Sequence, residues 1–303
     1  MLRLFPFICK MWKTSQLLDD VQISIQMRPL TYTRKLSELW VGLSTIEAKW
    51  KSFENTLSSD TYILGSVLPG EDLIQQILQL PSDSALYWES QWIAFRASSP
   101  QSEHKQLIYL KDRPAFIQFP EDLLENNSQA LVNEIKPNIF DLNNFAERGN
   151  TCINSKNCYI DPSASITGSI LDASQGPIYI GKNVTLQIGT YIQGPAAILQ
   201  DSMTNLGAKI RPFTTIGLGC KVGGEISASI FFPYSNKSHE GFIGNSVIGS
   251  FCNLGALTTC SNVRNDLKSV HLYNYATNNQ RDTGRKSFGI LLGDYVTTGI
   301  HTK

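Results

Sequence analysis

The 303-residue chain lacks net charge: 26 basic residues balance 26 acidic ones, and the isoelectric point is close to neutral. Such a balance offers no basic surface of the kind that nucleic acid or anionic lipid demands, so neither is expected as a partner. No apolar run approaches the roughly 20 residues needed to cross a bilayer, so no membrane span is expected. The six cysteines (Cys9, Cys152, Cys158, Cys220, Cys252, Cys260) contain no C-x-x-C pair. A zinc ribbon or redox dithiol is therefore not indicated, and a reducing cytoplasm is the simplest home. Histidine is scarce, with only His104, His239, His271 and His301. Their spacing includes no H-x4-H, so a three-imidazole zinc site is not expected. The N-terminal segment MLRLFPFICKMWK is apolar, but Pro6 breaks it and no small-residue cleavage site follows. It reads as an extension rather than a signal peptide, with Met11 as an alternative start.

What the chain does have is a six-residue period in its second half, from Ile180 to about Thr258. Ile180, Leu186, Ile192 and Ile198 form one run; Ile210, Ile216, Val222 and Ala228 form a second; Phe242, Ile248, Leu254 and Cys260 form a third. Glycine follows several of them (Gly181, Gly217, Gly223, Gly249, Gly255), and four positions on the residue is small or β-branched. Six fits neither the 3.6 of a helix nor the 2 of a lone strand. It predicts an all-β left-handed parallel β-helix of hexapeptide repeats, with one short strand per hexad, three strands per coil and the large residue pointing inward. Cys220, Cys252 and Cys260 fall on repeat positions and read as small core residues. The repeat begins loosely at Ile160 and Ile166. Residues 229–241 and 263–290 break the frame and are expected to be loops thrown out from the prism. Leu292 to Val296 re-enters it, and no closing cap precedes Lys303, so the sequence is expected to be cut short.

The first half reads as an α/β unit over residues 1–145, with the β-helix over 146–303. The spacing predicts a strand and turn over 17–26 and a helix from Ser37 to about Trp50. A strand at 62–69 comes next, then an amphipathic helix from Glu71 stopped at Pro81. A hairpin (85–88 and 92–96), strands at 107–110 and 115–119, and a helix over 121–133 complete it. Between Ile135 and Asn150 the pattern lapses into Pro, Asn and Gly, which marks the boundary.

Among candidate chemical groups, His239 alone of the histidines abuts a well-formed hexad. A neutral imidazole can take a proton from an attacking amine or hydroxyl at pH 7; a solvated loop histidine is the simpler alternative. The stretches Ser235-Asn-Lys-Ser-His239-Glu-Gly-Phe-Ile-Gly244, Ser246-Val-Ile-Gly249, Asn253-Leu-Gly-Ala256 and Ser261-Asn262 resemble one known family. It is the bifunctional glucosamine-1-phosphate acetyltransferase and N-acetylglucosamine-1-phosphate uridylyltransferase family. The whole of residues 17–303 is similar to a related bacterial group of sugar nucleotidyltransferase/acyltransferase proteins. That likeness is carried by Asp19-Asp20, Pro29 to Arg34, Lys49-Trp50, Gly65 to Pro69, Leu171 to Ile178, Gly194-Pro195 and Val222 to Glu225.

The resemblance implies that His239 is the catalytic base that deprotonates the sugar amine. It implies that Arg211, Asn253 and Asn262 bind the sugar substrate, and that Ala256 lines the acetyl-CoA pocket. It further implies a homotrimer with active sites between subunits. Corner-forming asparagine is the alternative for Asn253 and Asn262. Three positions depart from the family: Ser229 stands for a lysine, Phe242 and Val263 for tyrosines, so acyl transfer is implied more strongly than glucosamine-1-phosphate as acceptor. In the first unit no G-x-G-T-R loop exists. Met27 to Arg34 takes its place, offering Arg28 and Arg34 to a nucleotide, while Asp19 and Asp20 either hold Mg²⁺ or cap a turn. The expected function is acyl transfer from acetyl-CoA to an amino sugar phosphate or nucleotide sugar. Two alternatives stand beside it: sugar-1-phosphate nucleotidyl transfer with the β-helix as scaffold, and an inactive truncated scaffold.

Overall fold

The computed structural model describes residues 16–102, 105–138 and 141–303. The N-terminal extension with Cys9 and Met11, and His104, lie outside the described residues.

From Thr151 onward, three parallel sheets of seven, seven and six strands stack into a prism, the architecture typical of a left-handed β-helix. One wall runs from Cys158–Ile160 through Ala196–Ile198 and Val247–Ile248 to Leu291–Leu292. A second runs from Ser165–Ile166 to Thr297–Thr298, and a third from Thr151–Ile153 to Phe242–Gly244. In the early coils the register is three hexads per turn, so that Ile180 pairs with Ile198 and Ile198 with Ile216. The inward ladder of Ile160, Ile180, Ile198, Ile216, Phe231 and Ile248 is buried in one continuous cluster with Leu186, Val222 and Ile226. Phe145 of a short helix (Leu142–Glu147) joins that cluster and covers the first coil.

The frame changes after Val222. Residues 229–241 are not an excluded loop: they carry the strands Ile230–Phe231 and Asn236–Lys237, and form a shortened coil in which Thr215 pairs with Ile230. The hexad positions Ala228 and Phe242 are half-buried, and the inward residues on that wall are Ile226 and Ile243. Ala228 instead turns a corner at φ 46. The 263–290 segment does leave the prism, and contains an antiparallel hairpin, His271–Asn274 with Asn279–Asp282.

The first unit holds a five-stranded mixed sheet. Its strands in chain order are β1 (Leu17–Leu18), β4 (Thr61–Leu64), β5 (Ser84–Trp88), β6 (Gln91–Arg96) and β7 (Gln106–Tyr109); β2 (Trp40–Val41) and β3 (Ser44–Thr45) form a separate ribbon. The expected strand over 17–26 ends after two residues, because Asp20 accepts from the Ile23 amide and starts helix α1 (Val21–Gln26). The expected helix over 37–50 is only α2 (Ile46–Lys51), capped by Thr45. What replaces its first half is the β2–β3 ribbon, whose tip Gly42 (φ 62) donates to Asn127 Oδ1 at 2.8 Å. A Cβ at Gly42 would sit 2.6 Å from Ala130, so only glycine lets the ribbon tuck under the neighbouring helix. The 115–119 strand is reduced to an isolated bridge between Val67 and Phe116. Helix α3 (Glu71–Leu78) buries Leu73, Ile74 and Ile77, as its period predicts.

Helix α4 (Pro120–Glu134) joins the two units. It packs with Ala197, Leu199, Ile230, Phe232 and Val247 of the first wall, which belong to the same buried cluster as Leu30, Val67, Phe116 and Leu131. Each large apolar side chain so buried contributes ~1.5–3 kcal/mol, which makes this wall a shared core rather than a surface. Asn127, almost fully buried, accepts from Gly42 N and from Thr215 Oγ1 (2.9 Å) and donates to Phe213 O.

Candidate functional site

The corner between the second and third walls gathers three of the expected residues. His239 follows the strand Asn236–Lys237, and Asn253–Leu254 is the next strand on the same wall, with Asn236 in register with Asn253. Asn236 Nδ2 donates to Asn253 Oδ1 at 2.8 Å, and Ser238 Oγ donates to Asn236 Oδ1, making a polar string across the coils. The Leu257 amide donates to Glu240 O at 2.9 Å, which brings Ala256 alongside His239. His239 is exposed, and its imidazole makes no hydrogen bond among the described residues. Backbone packing beneath it is tight: a Cβ at Gly223 would lie 2.2 Å from Ser238 O.

A buried lysine organises this corner, and the hexad reading missed it. Lys237 takes the inward position next to Val222 and is fully buried. Its Nζ donates to His239 O at 2.7 Å and Gly223 O at 3.2 Å. Burial drives its pKa down to about 8, against a smaller upward pull from Glu240. The available signal was a charged residue between Asn236 and Ser238 in a stretch where an aliphatic residue belongs.

Arg211 and Asn262 sit elsewhere. Arg211 is exposed just after the third-wall strand Lys209–Ile210, where its charge opposes the rise that burial imposes on the Tyr191 phenol. Asn262 donates to Asn245 Oδ1 at 2.6 Å, beside the far end of the third-wall strand Phe242–Gly244. These two mark the opposite edge of the third wall from His239. Of the departures from the family, Ser229 is fully buried and accepts from the Ser246 amide, Phe242 is half-buried, and Val263 is exposed.

In the first unit, Arg34 faces the prism. It forms an ion pair with Asp294, donates to Ser250 Oγ at 3.2 Å and lies 4.5 Å over Phe232. Arg28 lies 5.0 Å over Tyr32 and has no ion-pair partner among the described residues. Asp20 is engaged as the cap of α1 and accepts from Trp92 Nε1 at 3.2 Å. Asp19 accepts from the Leu36 amide, and burial raises its pKa. Both carboxylates are thus held by separate protein donors, Asp19 by the Leu36 amide and Asp20 by the Ile23 amide and the Trp92 indole.

Together these features define a class: a left-handed β-helix joined through a shared core to a mixed α/β unit. Residues 52–137 match the family model described as sugar nucleotidyl transferase, so the chain carries a segment of that family. Over 129 residues it is 28% identical to the bifunctional sugar-1-phosphate nucleotidylyltransferase/acetyltransferase of Sulfurisphaera tokodaii, covering 42% of this chain and 32% of that protein. It is 35% identical over 95 residues to the bifunctional protein GlmU of Methanocaldococcus jannaschii (31% and 22%). With GlmU of Clostridium kluyveri it shares 29% identity over 165 residues (47% and 34%). The matches span about a third, or less, of the length of these relatives.

Proposed function

We propose that the chain is an acyltransferase that moves an acetyl or acyl group from a coenzyme A thioester to an amino sugar phosphate or nucleotide sugar. The observation that carries this reading is the seating of His239, Asn253 and Ala256 on adjoining coils at one corner, with Lys237 holding the His239 carbonyl from inside. The relatives named for acetyl transfer add support. In the reaction, His239 takes a proton from the acceptor nitrogen as that nitrogen attacks the thioester carbonyl. Collapse of the tetrahedral intermediate breaks the carbon–sulfur bond, and the imidazolium returns the proton to the leaving thiolate. Asn253 and nearby backbone N–H groups are suited to orient the acceptor and the developing oxyanion. Arg211 and Asn262, one wall-width away, would then serve an acceptor bound across the third wall or a site completed by another subunit of a trimer.

Nucleotidyl transfer by the first unit is the second reading, favoured by the family match over residues 52–137. His239→Ala distinguishes the two. Acyl transfer, followed as free thiol release from acetyl-CoA with a panel of amino sugar phosphates, should fall by roughly 10²–10⁴, while nucleotidyl transfer stays unchanged. Undiminished acyl transfer in that variant removes the proposal.

A further inference from the structure

The first coil of the prism holds two thiols face to face. Cys152 sits in the middle of the strand Thr151–Ile153 on the third wall, and Cys158 opens the strand Cys158–Ile160 on the first wall. One corner separates them, with Asn154 in the left-handed region (φ 57) and a single tight helical turn over Ser155–Asn157. In the next coil the residues in register with them are Leu171 and Ile178, both fully buried. Cys152 and Cys158 pack into the same inward cluster as those two, but their side chains are shorter. What results is a sulfur pair, Sγ to Sγ 3.5 Å, where the next coil packs branched aliphatics. A corner of the coil, not a C-x-x-C turn, brings these sulfurs together. Cys220, Cys252 and Cys260 are used differently, each donating to a backbone carbonyl, of Phe232, Gly293 and Ser261.

The two sulfurs differ in access and in acidity. Cys158 is fully buried, whereas Cys152 is half-buried on the strand that ends the third-wall sheet. The hydrogen bond they share lowers the Cys152 pKa and raises that of Cys158, which burial raises further. Cys152 is thus the nucleophilic thiolate of the pair, and Cys158 the thiol that donates to it. The backbone between them is pinned, since the side-chain amides of Asn154 and Asn157 both donate to Ala173 O, at 3.1 and 3.3 Å. Disulfide sulfurs lie about 2.0 Å apart, so bridging asks for an approach of roughly 1.5 Å.

We propose that Cys152 and Cys158 form a reversible thiol–disulfide site, oxidised by low-molecular-weight disulfides and reduced by low-molecular-weight thiols. The Cys152 thiolate attacks one sulfur of the small disulfide, whose S–S bond breaks as one small thiolate leaves. The negative charge that held the proton on Cys158 is then gone. Cys158 gives that proton to solvent, and its thiolate attacks Cys152 Sγ, breaking the mixed disulfide and releasing the second small thiolate. The two released thiolates take up the two protons that the cysteines gave up. The protein loses two electrons and the small disulfide gains them. The product ties the first wall to the third in the coil that Phe145 covers. The inference does not rest on acyl transfer: the pair lies several coils from His239, and its oxidation can be read without turnover.

The test equilibrates the full chain in glutathione buffers of graded oxidised-to-reduced ratio, quenches with N-ethylmaleimide and maps the peptides. Oxidised glutathione should convert the peptide bearing Cys152 and Cys158 to an intramolecular disulfide, lighter by two hydrogen atoms, and reduced glutathione should reverse it. Cys220 and Cys252 should stay thiols throughout. Cys158→Ser should stop at a mixed disulfide on Cys152, and Cys152→Ser should form one on Cys158 more slowly, by about tenfold or more. Circular dichroism checks both variants; if either does not fold, the wild-type map decides alone. A pair that stays reduced in oxidised glutathione, a wild type that stops at the mixed disulfide, a bridge from either cysteine to a third, oxidation of Cys220 and Cys252 to the same extent, or equal rates in the two variants would each overturn the proposal.

Discussion

Replacing Lys237 by Met tests how a charge is tolerated inside the prism. The folded chain lowers the Lys237 pKa to about 8, because its ammonium is fully buried among Val222-type neighbours and is solvated only by two carbonyls. A free lysine titrates near 10.4, so the displacement corresponds to at most ~3 kcal/mol of disfavour for the charged folded form. The sign follows from proton counts. Below pH 8 both states hold the proton and the full penalty applies. Between pH 8 and about 10.4 the unfolded chain still holds it while the folded chain has released it, so this residue's contribution to stability rises with pH. Above that window both forms are neutral and the penalty is gone.

Lys237→Met keeps the length and removes the charge, but it also strips Gly223 O and His239 O of a donor, at ~1–3 kcal/mol each. At pH 7 these effects oppose one another and the net change should be small. By pH 10 the wild type has shed its penalty and the variant retains only the loss. Urea unfolding followed by tryptophan fluorescence at pH 7 and pH 10 should therefore show the variant falling behind the wild type by ~2–3 kcal/mol more at the higher pH. Other groups that burial shifts upward, such as the Cys220 thiol at about 12 and the Tyr191 phenol, weaken both proteins alike and cancel in the comparison. A wild-type-to-variant gap that is the same at both pH values refutes the reasoning.

Asn127→Leu leaves Gly42 N–H and Thr215 Oγ buried without their partner; urea titration should show a loss of ~2–4 kcal/mol, partly restored by adding Thr215→Val. Arg34→Met strands the buried Asp294 carboxylate and should destabilise by ~3–5 kcal/mol, most of it recovered in the Arg34→Met/Asp294→Leu double variant. Although burial pushes the Asp294 pKa up, its bonds from Arg34, Thr33 and Ser250 outweigh this and hold it below the usual carboxylate range. Its stabilising contribution is thus complete above the ordinary carboxylate pKa and is lost as pH falls through the lower folded value, which acid titration of wild type and double variant would reveal. Cys152 shares a hydrogen bond with Cys158 that lowers its thiol pKa, whereas burial raises those of Cys220 and Cys252. Iodoacetamide at pH 8 with peptide mapping should find Cys152 modified ahead of Cys220 and Cys252.

The prism was legible because Ile180, Ile198 and Ile216 each meet the same inward surface, and a period of six is enforced by three equal walls. Legibility failed where that equality fails. From Thr215 to Ile230 the coil is shortened, so a strict hexad count lands on Ala228 and Phe242 while the core is filled by Ile226 and Ile243. The run Ile230-Phe231-Phe232 compounded this, since all three are buried: Phe231 faces the prism while Ile230 and Phe232 face the α/β unit. A strand covered on both sides shows no alternation, and such a stretch is indistinguishable in sequence from a displaced loop. The same cause hid the β2–β3 ribbon, whose tip is held by Asn127, distant in the chain.

That shared wall also bears on the chemistry. If the prism were simply a scaffold, its outer faces would be interchangeable. Instead one wall carries the α/β unit through Ala197, Ile230 and Val247, and the corner between the other two carries His239. The hairpin emerges after Cys260 on the third wall, crosses to α4, is clamped there by Arg281 and Glu121, and re-enters at Leu291 on the docked wall. Its return strand pairs with Val247–Ile248, whose outer face touches the α/β core, and Asp294, two residues on, holds Arg34. The hairpin is thereby tied to the coils that bear Asn253 and Ala256, since the strand after its return, Thr297–Thr298, pairs with Asn253–Leu254.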